Sequence, residues 1–125
     1  MKERFKYIYD EKTGILFKKY FGKITLIDIT SSWDEEIQNN RIPANTKGFI
    51  LDYRDATFDL KENETSGISD YYKNNLKIFN NMRIAIITES PKDIVVPFLV
   101  KENDFNYSSK PFTTVKAAIN WVLNQ

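Results

Sequence analysis

The sequence predicts one α/β domain in which helices cover a mixed β-sheet. A chain of 125 residues, 42% of them apolar, has the size and the side chains for one hydrophobic core. Two nearly continuous apolar runs, residues 48–54 and 82–88, are typical of strands buried on both faces. Segments with apolar residues at helical spacing lie between and after these runs. We therefore expect residues 1–125 to form a single domain.

The first predicted elements are a β-hairpin and a helix. Aromatic and aliphatic residues occupy positions 4–9 and 15–21, and residues 11–14 between them have the composition of a turn. Gly22 is expected to end the second strand. Thr25 can cap the helix that follows. The apolar positions of this helix recur every three or four residues, at Leu26, Ile29, Trp33 and Ile37.

The middle of the chain contains a strand and a long helix. Residues 39–47 have the composition of a loop, and the third strand follows at residues 48–54. A turn is expected at residues 55–59. Apolar side chains at helical spacing then predict one helix from about residue 62 to residue 80.

The last third of the chain completes the alternation. After the fourth strand at residues 82–88, the pattern favours a short helix within residues 93–104, although it contains Pro97. A fifth strand at residues 105–112 is expected at a sheet edge because of Pro111. Thr113 can cap a final helix. The predicted order is ββαβαβαβα, with a mixed sheet, an N-terminal hairpin and packed helices.

Composition restricts the chemistry that this chain can perform. Eighteen Lys and Arg against 17 Asp and Glu give a net charge of +1, so no strong field attracts nucleic acid, an anionic membrane or an acidic substrate. Cysteine and histidine are absent, which removes thiol nucleophiles, imidazole and thiolate metal ligands and the usual near-neutral acid–base residue. The four glycines are too widely spaced for a phosphate-binding loop. We expect no metal, no cofactor and no nucleic-acid partner.

Hydropathy points to the cytoplasm as the location. The longest continuous apolar run covers residues 94–100, far short of a membrane span, and residues 1–12 contain no apolar stretch of signal-peptide length. Lys18, Lys19 and Lys23 lie among aromatic residues of the second strand. We expect these lysines to form a solvated face rather than an RNA-stacking surface, because the order of elements differs from that of the common RNA-recognition sheet.

The element order and three stretches together resemble the STAS-like families, whose best known member is the sporulation anti-sigma-factor antagonist, and more closely the STAS/SEC14-type domains. The stretches are Gly-Lys-Ile-Thr at 22–25, Phe-Ile-Leu-Asp-Tyr-Arg-Asp-Ala-Thr at 49–57 and Pro-Phe-Thr-Thr-Val-Lys-Ala-Ala-Ile-Asn-Trp at 111–121. Met-Arg-Ile-Ala-Ile-Ile at 82–87 fits between the last two. The resemblance covers nearly the whole chain and implies a non-enzymatic regulatory module that binds a protein partner.

The resemblance also shows one departure from the family pattern. In the phosphorylated antagonists an Asp-Ser pair follows the third strand, and the serine is the regulatory switch. Here Asp52 is followed by Tyr53, and the nearest hydroxyl in the predicted loop belongs to Thr57. The phosphorylated serine of the anti-sigma circuit is therefore missing.

The first candidate site combines the loops after the third and fourth strands. Its residues are Asp52, Arg54, Asp55, Thr57 and Glu89. The carboxyl ends of parallel strands meet at one edge of a sheet, so these side chains can converge there and, with the start of the second helix, bind a protein partner. The alternatives are that the aspartates cap turns while Arg54 pairs with one of them, or that Asp52 and Glu89 act as a hydrolytic carboxylate pair.

Two further candidate sites lie on helices. Residues 94–100 are apolar on both sides of the predicted helix, so Val96 and Val100 are expected at an interface with a partner or in a homodimer, unless the segment is wholly buried. Tyr71, Tyr72 and Asn75 lie in the apolar stripe of the second helix. They can line a cavity for a lipid or small apolar ligand, as the SEC14-like side of the resemblance implies, or belong to the core. A carrier of such a ligand is the second functional hypothesis.

Overall fold

The computed structural model describes residues 4–124 and shows a five-stranded sheet with helices on both faces. The strands are β1 (Phe5–Asp10), β2 (Ile15–Ile24), β3 (Gly48–Phe58), β4 (Arg83–Ile87) and β5 (Ser108–Phe112). The helices are α1 (Leu26–Gln38), α2 (Thr65–Lys73), α3 (Leu76–Phe79), α4 (Pro91–Lys101) and α5 (Val115–Leu123), with a 3₁₀ turn at Glu62–Glu64 before α2. Residues 1–3 and 125 of the predicted domain lie outside the described part.

The sheet has the spatial order β1-β2-β3-β4-β5. β1 and β2 are antiparallel and the other neighbours are parallel, which confirms the predicted mixed sheet with an N-terminal hairpin. Each parallel strand is added on the same side of the previous one. Right-handed crossovers therefore place α1, α2 and α4 on one face, called here the three-helix face. The opposite face, called the α5 face, carries α5.

Alternating side chains along the strands divide the apolar residues into two cores. Leu16, Phe49 and Ile84 belong to the core on the three-helix face, whereas the neighbouring Ile15 and Ile50 belong to the core under α5. The core on the three-helix face is rich in aromatic rings. The ring of Trp33 lies at its centre, packed edge-on against Phe49, Phe79 and Tyr72 at centroid distances of 5.1, 5.0 and 6.2 Å.

Lys18 is buried inside the core on the three-helix face. Its Nζ lies 2.7 Å from Oε2 of Glu36, and both side chains are fully buried. The same nitrogen donates a hydrogen bond of 2.9 Å to Ser32 Oγ and lies 3.5 Å from the centroid of the Trp33 ring. The expectation that Lys18 belongs to a solvated lysine face is therefore wrong. Its charge is compensated by a carboxylate and a ring of α1, which face β2 across the core.

Two strand boundaries differ from the prediction. β2 continues past Gly22 to Ile24, because Gly22 adopts φ of +77°, a left-handed conformation that glycine accommodates without strain. β3 continues to Phe58, four residues beyond the predicted end, so the predicted turn at residues 55–59 is mostly strand. β5 begins at Ser108 and lies at the edge of the sheet, as predicted from Pro111.

The first helix begins at its predicted cap, whereas two other predicted helices differ in a cap or in continuity. Thr25 caps α1 through a capping box in which Asp28 accepts a hydrogen bond from the Thr25 amide. The predicted helix at residues 62–80 is wrong as a single element, because Asn75 leaves the helical conformation between α2 and α3. The cap of α5 is Thr114, one residue after the predicted one. α4 begins at Pro91 and continues through Pro97.

The buried ion pair gives a stability prediction. Lys18→Met leaves the Glu36 carboxylate buried without its cation, and we expect a loss of roughly 3–5 kcal/mol in the free energy of unfolding at pH 7. The double variant Lys18→Met/Glu36→Leu removes both charges and should be more stable than the single variant. Urea denaturation followed by circular dichroism measures both values. The expectation is contradicted if the double variant loses as much free energy of unfolding as Lys18→Met alone and Glu36→Leu alone lose in sum.

The pH dependence of Lys18→Met follows from the pKa of Glu36. Burial raises the pKa of Glu36 above its usual value, and the charge of Lys18 opposes that rise. A raised pKa contributes stability that is full below the unfolded-state value of about 4.3 and is lost as pH rises through the folded-state pKa. Removing Lys18 raises this pKa further. The variant should therefore approach the wild-type stability as pH falls toward 4, and denaturation curves between pH 4 and pH 8 test this.

Candidate functional site

One part of the α5 face has no helix over it. α5 packs on β3, β4 and β5 and covers Ile15 at the start of β2, whereas no helix of residues 4–124 covers the other side chains that β1 and β2 carry on this face. They form a groove of about 620 Å³ that ends at α5. The side chains on this face of the groove, called here the open face, are Lys6, Ile8, Asp10, Phe17, Lys19, Asp52, Arg54 and Val115. An apolar centre with charged groups around it is typical of a recognition surface.

A bulge in β3 brings the predicted charged residues to the open face. Lys19 is paired with Asp52 and Phe21 with Asp55, so two residues of β3, Tyr53 and Arg54, oppose Tyr20 of β2 alone. Tyr53, the first residue of the bulge, packs in the core on the three-helix face. Side chains of β3 before and after the bulge pack in the same core. Arg54 and Asp55 are therefore consecutive residues on the same exposed side of the strand. Without the bulge, strict alternation would turn one of them inward.

Four charged side chains form a compact network, called here the charged cluster. Arg54 binds Asp52 through two side-chain hydrogen bonds, Nε to Oδ1 at 2.9 Å and Nη2 to Oδ2 at 2.8 Å. Lys19 Nζ lies 2.9 Å from Oδ2 of Asp55 and 3.7 Å from Oδ2 of Asp52. Arg54 therefore forms an intramolecular pair with an aspartate, which was one of the alternatives predicted from the sequence. The charged cluster contains two cations and two anions and is neutral as a unit.

The pKa values of Asp52, Arg54 and Lys19 are shifted toward the charged forms. Burial by itself would raise the pKa of Asp52, but hydrogen bonds from the side chain and backbone of Arg54 and the nearby cations bring it below its usual value. The hydrogen bond to Asp52 raises the pKa of Arg54, and the hydrogen bond to Asp55 raises the pKa of Lys19. A carboxylate held ionised by two cations is a poor proton donor, so these pKa values do not favour acid–base chemistry here.

Thr57 and Glu89 lie outside the charged cluster. The Thr57 hydroxyl donates a hydrogen bond of 2.7 Å to Oδ1 of Asp93, which also accepts the Phe58 amide at 3.0 Å. Glu89 is exposed after β4, and its charge is one of the smaller influences that raise the pKa of Arg54, after the hydrogen bond to Asp52. Of the five predicted site residues, Asp52, Arg54 and Asp55 therefore belong to the charged cluster. Glu89 lies near it, and Thr57 is hydrogen-bonded to α4 instead.

Asp93 was not identified from the sequence. It is buried in the first turn of α4 and binds the part of β3 that extends beyond β4. Its carboxylate thus replaces the partner that β4 would provide for the Phe58 amide. Asp93 is the third residue of α4, and an acidic residue in the first turn is a common signal of a helix start. This signal indicates a local role for Asp93 but does not indicate that it contacts β3.

The predicted interface residues on α4 point into the core. Val100 is 4% exposed, and Val96 packs against the core on the three-helix face. The prediction of Val96 and Val100 as interface residues is therefore wrong. The outward side of α4 carries Val95 and Phe98, each 52% exposed. The pattern correctly indicated apolar residues on both sides of the helix, but it contained no signal for which side faces the sheet.

The space beneath α2 is nearly filled. Tyr72 is buried among Trp33, Phe79 and Tyr107, while Tyr71 is half-buried and donates a hydrogen bond to Asp34. The side-chain amide of Asn75 donates to the Tyr71 carbonyl at 2.8 Å. A cavity of about 20 Å³ lies between α2, α4 and the sheet. This volume suits about one water molecule, whereas small-molecule sites have roughly 300–1,000 Å³.

The element order, the mixed sheet and the three-helix face define a STAS-like α/β domain. The chain is similar in structure to an uncharacterised protein of the DUF3478 family from Shewanella loihica PV-4 that has a SpoIIAA-like fold. The similarity has a TM-score of 0.63 and 16% sequence identity, and it covers 94% of this chain and 91% of that one. No family model and no curated protein matches the chain by sequence. The fold predicted from the resemblance is thus confirmed as SpoIIAA-like.

Residues 4–124 contain neither a helix that could span a membrane nor a cluster of side chains that could hold a metal ion. No helix in this part of the chain has the length and apolar character to cross a bilayer. No group of three or more acidic side chains within the same residues is placed to hold a metal ion.

The charged cluster gives a pH-dependent stability prediction. Asp52→Asn weakens the contacts to Arg54 and Lys19 and should lower the free energy of unfolding by about 1 kcal/mol at pH 7. Because the folded-state pKa of Asp52 is lowered, its stabilisation is present above the unfolded value of about 3.9 and is lost as pH falls through the folded-state pKa. The difference from wild type should therefore shrink below about pH 4. Urea denaturation at pH 7 and pH 3 measures it.

Asp55→Asn is the matched control for this measurement. The Asp55 side chain is 60% exposed, and Lys19 is the one cation of the cluster that it contacts. Asp55→Asn should therefore change the free energy of unfolding by no more than about 0.5 kcal/mol. Equal losses for the two variants, or a difference that grows at acid pH, contradict the assignment of Asp52 as the centre of the charged cluster.

Proposed function

We propose that this protein is a non-enzymatic, STAS-like interaction module that binds a protein partner through the open face and the charged cluster. The observation that carries the proposal is the uncovered part of the sheet. Ile8 is 70% exposed there, and the half-buried Phe17 lies opposite it on β2. Exposed apolar side chains beside charged groups are the usual composition of a protein interface.

The contacts of the charged cluster favour binding over catalysis. Each carboxylate of the cluster is already paired with a cation, and the lowered pKa of Asp52 keeps that carboxyl group charged. A hydrolytic pair of Asp52 with Glu89 needs one carboxyl group with a raised pKa, and the pKa of Asp52 is lowered. STAS-like domains are typically non-catalytic. These points support a role in recognition, where preorganised charges set the orientation of a partner.

The proposed surface differs from the one predicted from the sequence. It keeps Asp52, Arg54 and Asp55 and adds Lys19 with the apolar side chains of β1 and β2. Glu89 lies near its edge. The hydroxyl of Thr57 is bonded to Asp93, so Thr57 is not included, and the start of α2 is not among the residues that line the groove. The proposal keeps the regulatory role and the cytoplasmic location predicted from the sequence.

The second hypothesis, a carrier for a lipid or small apolar ligand, has less support. It requires a cavity bounded by Tyr71, Tyr72 and Asn75, and the space beneath α2 is about 20 Å³. A lipid chain would have to displace the packed rings of Tyr72 and Phe79, whose centroids lie 4.8 Å apart. The filled core therefore favours the interaction module.

Two exposed isoleucines provide a matched test of this proposal. Ile8 on the open face is 70% exposed, and Ile27 in the first turn of α1 is 74% exposed. Ile8→Glu places a charge on the proposed surface and should reduce capture of the partner at least tenfold, whereas Ile27→Glu should leave it unchanged. The measurement is affinity capture from the native cell with quantitative mass spectrometry. Both variants should retain the wild-type fold, because neither side chain is buried.

Arg54→Ala tests the charged cluster in the same experiment. It should weaken capture of the same protein, with Lys77→Ala on α3 as an exposed cationic control. If Ile8→Glu and Arg54→Ala both capture the partner as well as the wild-type protein does, the proposed surface is wrong.

A further inference from the structure

β1 is an edge strand that lacks the proline found in the other edge strand of the sheet. The other edge strand, β5, contains Pro111, which has no amide hydrogen to donate. β1 contains neither proline nor glycine between Phe5 and Asp10, and no strand lies along its outer side in the described part of the chain. Natural proteins usually protect such an edge, because it can pair with another strand.

The register with β2 determines which backbone groups of β1 face outward. Phe5 is paired with Tyr20, and the Phe21 amide donates to the Arg4 carbonyl at 2.8 Å. In an antiparallel pair, hydrogen-bonded and non-hydrogen-bonded residue pairs alternate. The residues bonded to β2 are therefore the even-numbered ones. The amide and carbonyl groups of Phe5, Tyr7 and Tyr9 point to the free edge.

The sequence of β1 is complementary to itself in an antiparallel register that uses all three of its outward-facing residues. An added strand must form hydrogen bonds with the outward backbone groups of the odd-numbered residues. If the two-fold axis lies at Tyr7, the outward groups of Phe5, Tyr7 and Tyr9 are all paired. This register places Phe5 opposite Tyr9, Lys6 opposite Ile8 and Arg4 opposite Asp10. The Arg4 guanidinium already donates to the Lys23 carbonyl at 2.6 Å and lies 3.8 Å from Asp28, so Asp10 of the second copy is a further partner of this cation. Opposite charges and aromatic pairs across strands are favourable, and here each occurs twice by symmetry. A shift that centres the axis on Lys6 would put two lysines opposite each other.

We propose that a second copy of this chain pairs antiparallel along β1, about a two-fold axis at Tyr7, so that two sheets join into one of ten strands. The outward backbone groups of β1 face no other strand in residues 4–124, and the charge pattern selects a second copy as the strand that fits this edge. The proposal is independent of the proposed function. It replaces the predicted homodimer through Val96 and Val100, whose side chains are turned toward the core. In the dimer the two open faces lie side by side.

Cysteine cross-linking tests the register directly, because the chain contains no cysteine. In the proposed register residues 6 and 8 of opposite copies form a non-hydrogen-bonded pair with Cα atoms about 4.5 Å apart, within disulfide range. The double variant Lys6→Cys/Ile8→Cys should oxidise to a covalent dimer at low protein concentration. Each single variant should stay uncoupled, because identical positions are two residues out of register and more than about 7 Å apart.

Native mass spectrometry and sedimentation of the unmodified protein complete the experiment. A dimer whose dissociation constant rises about tenfold in Arg4→Glu, and is unchanged in Lys12→Glu at the hairpin turn, supports the proposal. A monomer at all concentrations overturns it, as does a dimer in which a single-cysteine variant cross-links as well as the double variant.

Ile8→Glu separates this proposal from the proposed function. In the proposed register it places a carboxylate opposite Lys6 of the second copy, so self-association should be retained or strengthened while capture of a different protein is lost. Loss of the dimer in Ile8→Glu contradicts the register, whatever the outcome of the capture experiment.

Discussion

The handedness of the crossovers is the constraint on which the rest of this structure depends. Three successive parallel connections add strands in one direction, so right-handed crossovers place all of their helices on one face. In residues 4–124 the opposite face receives only α5, which covers β3, β4 and β5. One helix is about 10 Å wide, whereas five strands span about 19 Å between the first and the last. An uncovered strip of sheet over β1 and the part of β2 beyond Ile15 is therefore a consequence of the topology.

Local features of β2 and β3 determine what this strip presents to solvent. The bulge opposite Tyr20 turns Arg54 and Asp55 to the same side, where they meet Lys19 and Asp52. On the other side of β2, Lys18 is buried against Glu36. Adjacent lysines of one strand thus contribute to two charge networks, one inside the core and one at the surface. The inner pair links α1 to β2, and the outer one links β2 to β3.

The fold and the site carry different amounts of functional information. Similarity at 16% identity shows a SpoIIAA-like fold, and folds of this kind host more than one function. The functional argument therefore rests on the open face, the paired state of the charged cluster and the filled space beneath α2. Intramolecular pairing of Arg54 with Asp52 does not exclude a role in recognition, since paired charges at a surface are already oriented for a partner.

The sequence by itself determined the order of the elements, because apolar spacing and capping residues are local signals. The buried strands at β3 and β4, the capping box at Thr25 and the edge position of the strand with Pro111 follow from nearby residues. Only the tertiary structure decided that Lys18 is buried, that β3 extends to Phe58 and that Val96 and Val100 face inward. Each of these depends on a partner distant in sequence: Glu36 on α1, Asp93 on α4 and the sheet beneath α4. Periodicity shows that a side chain shares a face with others, but burial of that face requires the second surface that covers it.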